Sequence, residues 1–266
     1  MGHGSWGEDG MTAMLEVERL EKSFGGVRAV DGFSFHVDRG ETLGIIGPNG
    51  AGKTTVFNLI TRFYTPDGGR VRFMGKLITH LPPYRLARLG IARTFQNLRL
   101  FKDLTVLENI TSAHLTGHSY SPFAGIFRTR RHLRIEREAR ENAMMLLNFL
   151  GLGEKEQAPA GSLPYGEQRR LELARALAIR PKLLLIDEPG AGMNPREIQD
   201  LVITLREVKE RFDLTIVMIE HQMGLVMNIS DRILVMDFGE KIMEGTPSEV
   251  RKDRRVIEAY LGEEPV

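Results

Sequence analysis

The chain has 266 residues, 42% hydrophobic and 27% charged, with a net charge of +1 and no cysteine. That length supports a substantial core, and the balanced charge argues against both a disordered chain and a dedicated nucleic-acid binder. Without cysteine there is no disulfide, iron–sulfur cluster or cysteine-ligated zinc, which fits a reducing compartment.

No apolar run approaches the roughly 18–20 residues that a membrane span needs, so a soluble, cytoplasmic chain is expected unless a partner holds it elsewhere. Residues 1–13 are Gly-rich and polar, and lack the basic-then-apolar order of a signal peptide. They read as a disordered lead-in, with Met11 or Met14 as an alternative start. "MLEVERLEKSF" and "GFSFHVDRG" alternate apolar and polar residues (Leu15, Val17; Phe33, Phe35, Val37), predicting half-buried antiparallel strands. "TLGIIG", "LLLID" and "LTIVMIE" are short apolar runs of the kind buried on both faces of a parallel sheet.

Helices follow these runs. Val56, Leu59, Ile60 and Phe63 share one predicted helix face, and Ile198, Leu201, Val202 and Leu205 another. Asn194 reads as the N-cap of the second, with Pro195 at its first position and Glu197 three residues after the cap. Between Gln96 and Ser162 lies a mostly helical region, with Ile135, Ala139, Leu146, Leu147 and Leu150 marking its clearest helix. The next helix carries Leu171, Ala174, Leu177 and Ala178 at helical spacing. Its entrance holds Pro164, Tyr165 and Gly166 where a Ser or Asp cap is expected, leaving bare N–H groups that suit an anion. "RILVMDFGEKIM" predicts a hairpin and residues 247–261 a terminal helix.

Two stretches carry chemistry. "GPNGAGKT" fits G-x-x-x-x-G-K-[ST] between a buried strand and an amphipathic helix. Gly47, Pro48, Asn49, Gly50, Ala51 and Gly52 form a loop whose N–H groups wrap phosphate. Lys53 sets a point charge on the β/γ-phosphates, Thr54 can ligate Mg²⁺, and Thr55 continues the cradle. In "LLLIDEP", Asp187 ends a buried strand where open α/β sheets bind ligands, a place to hold the Mg²⁺ shell. The adjacent Glu188 faces differently and suits a general base acting on water.

In this order, with "TFQ", "LPYGEQ", "GAGMNP" and "IEH" added, the chain resembles the nucleotide-binding domain of ABC transporters from about residue 14 onward. The resemblance implies an α/β fold: a P-loop NTPase (RecA-like) core with a mainly parallel sheet, an N-terminal antiparallel β subdomain and an inserted helical subdomain. It implies one domain over 14–266, with 14–96 and 162–246 as ATP-binding core and β subdomain. Residues 97–161 and the first part of the signature helix form the helical subdomain, and 247–266 the C-terminal helix.

It further implies that Phe24 stacks on adenine, a core position at a strand end being the alternative. Gln96 reaches Mg²⁺ and the attacking water, with Thr54 and Asp187 as its companions at the metal. His221 contacts the γ-phosphate, and the "LPYGEQ" residues Pro164, Tyr165, Gly166 and Glu167 close over ATP held by a second subunit. Here the chain departs from the family's usual Ser, Gly and Gln. Pro164 removes a hydroxyl and an N–H worth about 1.5–3 kcal/mol against a charged group, while Gly166 and the N–H groups behind it are expected to suffice.

"LPYGEQRRLELARAL", "DEPGAGMNP", "GIARTFQNLRLFKDLTVLENI" and the ending "GTPSEVRKDRRVIEAYLGEE" look most like the ATP-binding subunits of high-affinity branched-chain amino acid importers. ATPases of urea/amide import and lipopolysaccharide export share much of this pattern. The implied cofactors are ATP and Mg²⁺. The implied partners are a second ATPase subunit, alike or related, integral-membrane permease subunits reached through "NLRLFKDL", and indirectly a substrate-binding protein, with no nucleic acid. The implied place is the cytoplasmic face of the inner membrane, held peripherally. A non-transport ABC ATPase of DNA repair or translation lacks support from long inserts, zinc or a second domain. A small-molecule kinase would leave Phe24, "LPYGEQ" and His221 unexplained.

Two features read more plainly. His114 and His118 are four apart but lack a third ligand, and read as solvated. Arg128, Arg130, Arg131, Arg134, Arg137 and Arg140 interleave with Glu136, Glu138 and Glu141 as a solvated helix face, with lipid-headgroup contact as the alternative.

Overall fold

The computed structural model describes residues 13–116 and 130–261. The lead-in 1–12, residues 117–129 with His118 and Arg128, the side chains of Arg130 and Arg131, and the tail 262–266 lie outside the description. The described residues form two sheets with helices packed on them.

Alternation builds the first sheet. β1 (Leu15–Phe24) pairs antiparallel with β2 (Val27–Val37), setting Leu15 against Val37 and Val17 against Phe35. The second strand starts five residues before the predicted Gly32. On the other side of β1 lies β4 (Gly68–Phe73), and beyond it the two-residue β5 (Lys76–Leu77), giving the order β2-β1-β4-β5. One face carries Leu15, Val17, Leu20, Phe33, Phe35, Val71 and Phe73, all buried.

The apolar runs build the second sheet. β3 (Thr42–Ile46), β6 (Ile91–Arg93), β7 (Leu183–Asp187), β8 (Thr215–Ile219) and β9 (Arg232–Asp237) are parallel. β10 (Glu240–Gly245) returns antiparallel through the predicted hairpin, and the order is β10-β9-β3-β8-β7-β6. Every residue of β3, β7 and β8 is buried, as strands covered on both faces require. Period two sends Leu183, Leu185, Val217 and Ile219 into one core, shared with the antiparallel sheet and with α1 (Lys53–Ile60). Leu184, Ile186, Ile216 and Met218 enter a second core. That core is covered by α5 (Tyr165–Ala178), α6 (Pro195–Phe212) and α7 (Met223–Ile229). α2 (Pro83–Leu89) leads into the edge strand β6.

The helical region comprises α3 (Val106–Thr116) and α4 (Arg130–Phe149), packed on α5 through Val106, Ile110, Ala143, Leu146, Leu147, Leu171 and Ala174. Arg134, Glu136, Arg137, Glu138 and Arg140 are exposed on α4, with Arg134 and Glu138 paired at 3.5 Å across one turn. The predicted cap of α6 is present: Asn194 Oδ1 accepts the N–H groups of Arg196 and Glu197, and Glu197 accepts that of Asn194.

Three expectations are corrected. His114 is not solvated; it is 5% exposed, with Nδ1 3.0 Å from the carbonyl of Ala178. It continues the buried stripe of Val106, Leu107 and Ile110, so the helix period and not its polarity decides its place. Phe63 is not on the face of α1, because Arg62 turns the chain at φ +61 and leaves Phe63 half-exposed beyond the helix end. Residues 247–261 form two helices, α8 (Pro247–Val250) and α9 (Arg254–Leu261). Asp253 accepts the N–H of Arg255 at 2.9 Å and so starts the second. Among the described residues no helix is long and apolar enough to cross a membrane.

Candidate active site

The parallel sheet brings four chain segments together at the carboxyl ends of β3, β6, β7 and β8, where open α/β sheets leave a crevice. From β3 comes the loop Gly47–Gly52 and the start of α1. A Cβ on Gly47 (φ +153) would sit 1.9 Å from the Met236 carbonyl oxygen, and one on Gly52 (φ +101) 2.2 Å from that of Ala29, so only glycine fits either place. The loop is tied to the β9–β10 turn by the Gly239 N–H on the Ala51 carbonyl, 3.0 Å. Lys53 is 6% exposed, and its ammonium donates to the carbonyls of Gly47 and Pro48 at 2.6 and 2.7 Å, which draws the loop around it. Gly52 caps α1 without a side-chain hydrogen bond and no acidic residue enters the first turn. The N–H groups there suit phosphate, beside the exposed Asn49, Gly50 and Thr54 and the half-buried Thr55.

From β7 come Asp187 and Glu188, which diverge as expected. Asp187 is 3% exposed, and its Oδ2 accepts from Arg93 Nη2 at 2.8 Å. Glu188 leaves the strand at φ +46, an uncommon conformation for this side chain, and its N–H bonds to the Ile219 carbonyl at 2.9 Å. From the segment after β6 comes Gln96, whose Nε2 donates to Glu188 Oε2 at 2.6 Å. From β8 comes His221, with Nδ1 3.8 Å from the same oxygen. Glu188 and Gln96, expected to act on the attacking water, and His221, expected at the γ-phosphate, therefore meet around one carboxylate oxygen.

Two residues that sequence reasoning passed over hold this cluster. Glu220 is fully buried; its Oε2 accepts the Gly190 N–H at 2.9 Å, and its Oε1 those of His221 and Gln222. It thereby fastens the turn after β7 to the one after β8. Its signal was a carboxylate ending an apolar strand, directly before a histidine. Arg93 was the other, three residues ahead of Gln96. Burial holds its pKa below the usual guanidinium value, a pull that the adjoining Asp187 only partly offsets.

The residues fit a divalent cation. Asp187 Oδ1 is buried without a hydrogen-bond partner, an orphaned carboxylate oxygen of the kind a hard cation or its water satisfies. Among the described residues no group of three or more acidic, His or Cys side chains forms a cage. Mg²⁺ needs none, since it binds through one or two carboxylates together with the phosphates of its nucleotide.

Phe24 ends β1 at 42% exposure, which removes the core alternative for it. Its ring meets Tyr64 edge-on at 5.1 Å and lies under Lys22 Nζ at 5.4 Å. The entrance of α5 is not drawn to the cluster. Pro164 (ψ 152) is its N-cap without a side-chain bond, and Pro164, Tyr165 and Gly166 are all exposed. Tyr165 Oη accepts from Arg169, and Glu167 holds Lys155 at 2.7 Å. The Glu167 carboxylate, in the first turn of the helix, is therefore paired with Lys155.

Residues 30–191 match the family model described as ABC transporter, and residues 240–266 one described as branched-chain amino acid ATP-binding cassette transporter. The chain is 46% identical over 250 residues to the high-affinity branched-chain amino acid transport ATP-binding protein BraF of Pseudomonas aeruginosa. It is 42% identical over 250 residues to the corresponding LivG of Escherichia coli. Both alignments cover 94% of this chain and 98% of the relative. Among solved structures, the ADP conformation of an ATP-binding cassette of an ABC transporter matches with a TM-score of 0.82 at 37% identity, over 95% of this chain and 100% of that one.

Proposed function

The chain belongs to the ABC transporter family, and from that premise we propose that it is the ATP-hydrolysing subunit of an importer for branched-chain amino acids. The meeting of Gln96 and His221 on the Glu188 carboxylate, beside the phosphate loop, is the observation that carries the hydrolytic reading. The names of the relatives and the C-terminal match support the substrate class.

The mechanism assigns each residue a task. Gly47, Asn49, Gly50, Ala51, Gly52, Lys53, Thr54 and Thr55 seat the triphosphate through N–H groups and the ammonium, while Pro48, which has no N–H, shapes the loop and accepts from Lys53 through its carbonyl. Thr54, Gln96 and Asp187 would hold Mg²⁺, which when bound would neutralise phosphate charge. Glu188 takes the proton of the attacking water, which Gln96 helps to orient, while His221 meets the γ-phosphate. The bare entrance of α5, with Pro164, Tyr165, Gly166 and Glu167, closes on the ATP of a second subunit, so that two sites form in a head-to-tail pair. Closure draws the helical region, α3, α4 and the first part of α5, toward the ATP-binding core. The 97–104 segment, with Phe101 52% exposed, then works the permease. The chain thus sits peripherally on the cytoplasmic face of the membrane, and a substrate-binding protein signals to it through the permease.

In proteoliposomes holding the whole transporter, leucine, isoleucine or valine with the binding protein is expected to stimulate ATP turnover. Stimulation by urea or short amides instead would reassign the substrate. Phe24→Ala tests the adenine platform. Base–aromatic stacking is worth about 1–3 kcal/mol, so ATP affinity should fall about tenfold in a fluorescent-nucleotide titration. The melting temperature without nucleotide should hardly move, because the ring is already half in water. An unchanged affinity would place adenine elsewhere.

A further inference from the structure

Arg93 closes the edge strand β6, in register with Leu185 of β7, and its side chain is 6% exposed. A buried guanidinium is costly unless its donors are met; here Nε is buried without a partner, while each terminal nitrogen has a separate task. Nη1 donates to Asn58 Oδ1 at 2.8 Å and Thr61 Oγ1 at 3.0 Å, both at the end of α1. Nη2 donates to Asp187 Oδ2 at 2.8 Å. The rings of Phe57, Phe63 and Phe95 surround the cation at 5.5, 5.8 and 4.9 Å from their centroids. Phe63 thus has a place in the structure although it left the helix face.

Phe95 is held by other groups as well. Arg99 lies over its ring at 4.0 Å, and Phe63 meets it edge-on at 5.5 Å. From α5, Glu172 accepts the Phe95 N–H at 3.2 Å, Arg169 donates to the Phe95 carbonyl at 3.4 Å, and Arg175 donates to the Arg99 carbonyl. The segment that carries Gln96 is therefore clamped between α5 and the guanidinium that grips Asp187.

We propose that Arg93 is a positioning residue for Asp187, holding one carboxylate oxygen so that the other is presented to the divalent cation, and tying that carboxylate to the segment bearing Gln96. The proposal rests on the reading of Asp187 as the cation-holding carboxylate. It explains why Oδ2 is taken while Oδ1 is buried and left without a partner. A lysine at position 93 keeps the positive charge but lacks the fork that bridges Asn58, Thr61 and Asp187 at once, so Arg93→Lys isolates positioning from charge.

The test is Mn²⁺ binding to the ADP-loaded full chain, read from the electron paramagnetic resonance signal of free Mn²⁺, which needs no turnover. Outer contacts that orient a metal ligand are commonly worth at least about tenfold in metal affinity. Arg93→Lys and Asp187→Asn should each weaken Mn²⁺ by about that factor, while ADP affinity in EDTA stays within about twofold of native. In the double variant Arg93→Lys should add nothing to Asp187→Asn, because it acts through that carboxylate. Near-native Mn²⁺ affinity in Arg93→Lys alongside a weakened Asp187→Asn overturns the proposal alone. So does an undiminished effect of Arg93→Lys on the Asp187→Asn background. Unchanged Mn²⁺ affinity in Asp187→Asn overturns the cation-site reading itself, and the proposal with it. Asn58→Ala removes a brace on the guanidinium without altering any charge, and supplies the same comparison if Arg93→Lys does not fold.

Discussion

Glu188→Gln is expected to bind ATP at least as tightly as the native chain while hydrolysing it about 10²–10⁴-fold more slowly, the span that removal of a positioned general base produces. The substitution is nearly isosteric. The amide oxygen at position 188 can still accept from Gln96 Nε2, now 2.6 Å from Glu188 Oε2, so the cluster keeps its shape. What disappears is the group that takes the proton. A negative charge near the γ-phosphate disappears with it, so ATP and the closed pair both gain. Light scattering with Mg-free ATP should therefore move the variant from monomer to dimer mass, and removal of ATP should return it. Turnover within about tenfold of native would mean that the base is elsewhere, with His221, 3.8 Å away, the next candidate. Lost turnover without a dimer would leave Glu188 as the base but show that the Pro164 entrance of α5 needs the permease to close.

Features set by neighbours in sequence were legible. The phosphate loop is a local backbone device, and its glycines stand where a Cβ would strike Met236 and Ala29. The Asn194–Glu197 cap reads off four consecutive residues, and the buried strands off unbroken apolar runs. Features set by distant partners were not. Arg93 and Asp187 are 94 positions apart, and nothing about an arginine before "TFQ" says that it will be buried against a carboxylate. Glu220 owes its role to Gly190, 30 positions away, across two strand ends. β5 has only two residues, too few for a period to show. His114 differs, because its place in the stripe Val106, Leu107, Ile110 was available. A polar ring at that position is buried because a neighbouring carbonyl satisfies it, so period wins over polarity.

Lys53→Ala is expected to weaken ATP binding about 100-fold and leave the nucleotide-free chain folded. In this structure the ammonium is buried between the carbonyls of Gly47 and Pro48, so the methylene stem is packed and the charge already sits at the loop's centre. Losing charge-assisted contacts to the β- and γ-phosphates costs about 3 kcal/mol, or about 100-fold in affinity. The consequence for melting follows by mass action. At ATP near 100 times the native dissociation constant, binding stabilises the native fold by about 2.7 kcal/mol, and a 100-fold weaker variant by about 0.4 kcal/mol. For a chain of this size that is a shift of about 5–10 °C reduced to about 1 °C. Lys53→Arg should fare little better despite its charge. The loop is closed around a point-like ammonium, and a planar guanidinium cannot reach both carbonyls without opening it. A full ATP-dependent shift in Lys53→Ala would remove the phosphate loop from the site. Loss in Lys53→Ala with retention in Lys53→Arg would show that charge alone, without the grip on Gly47 and Pro48, seats the triphosphate.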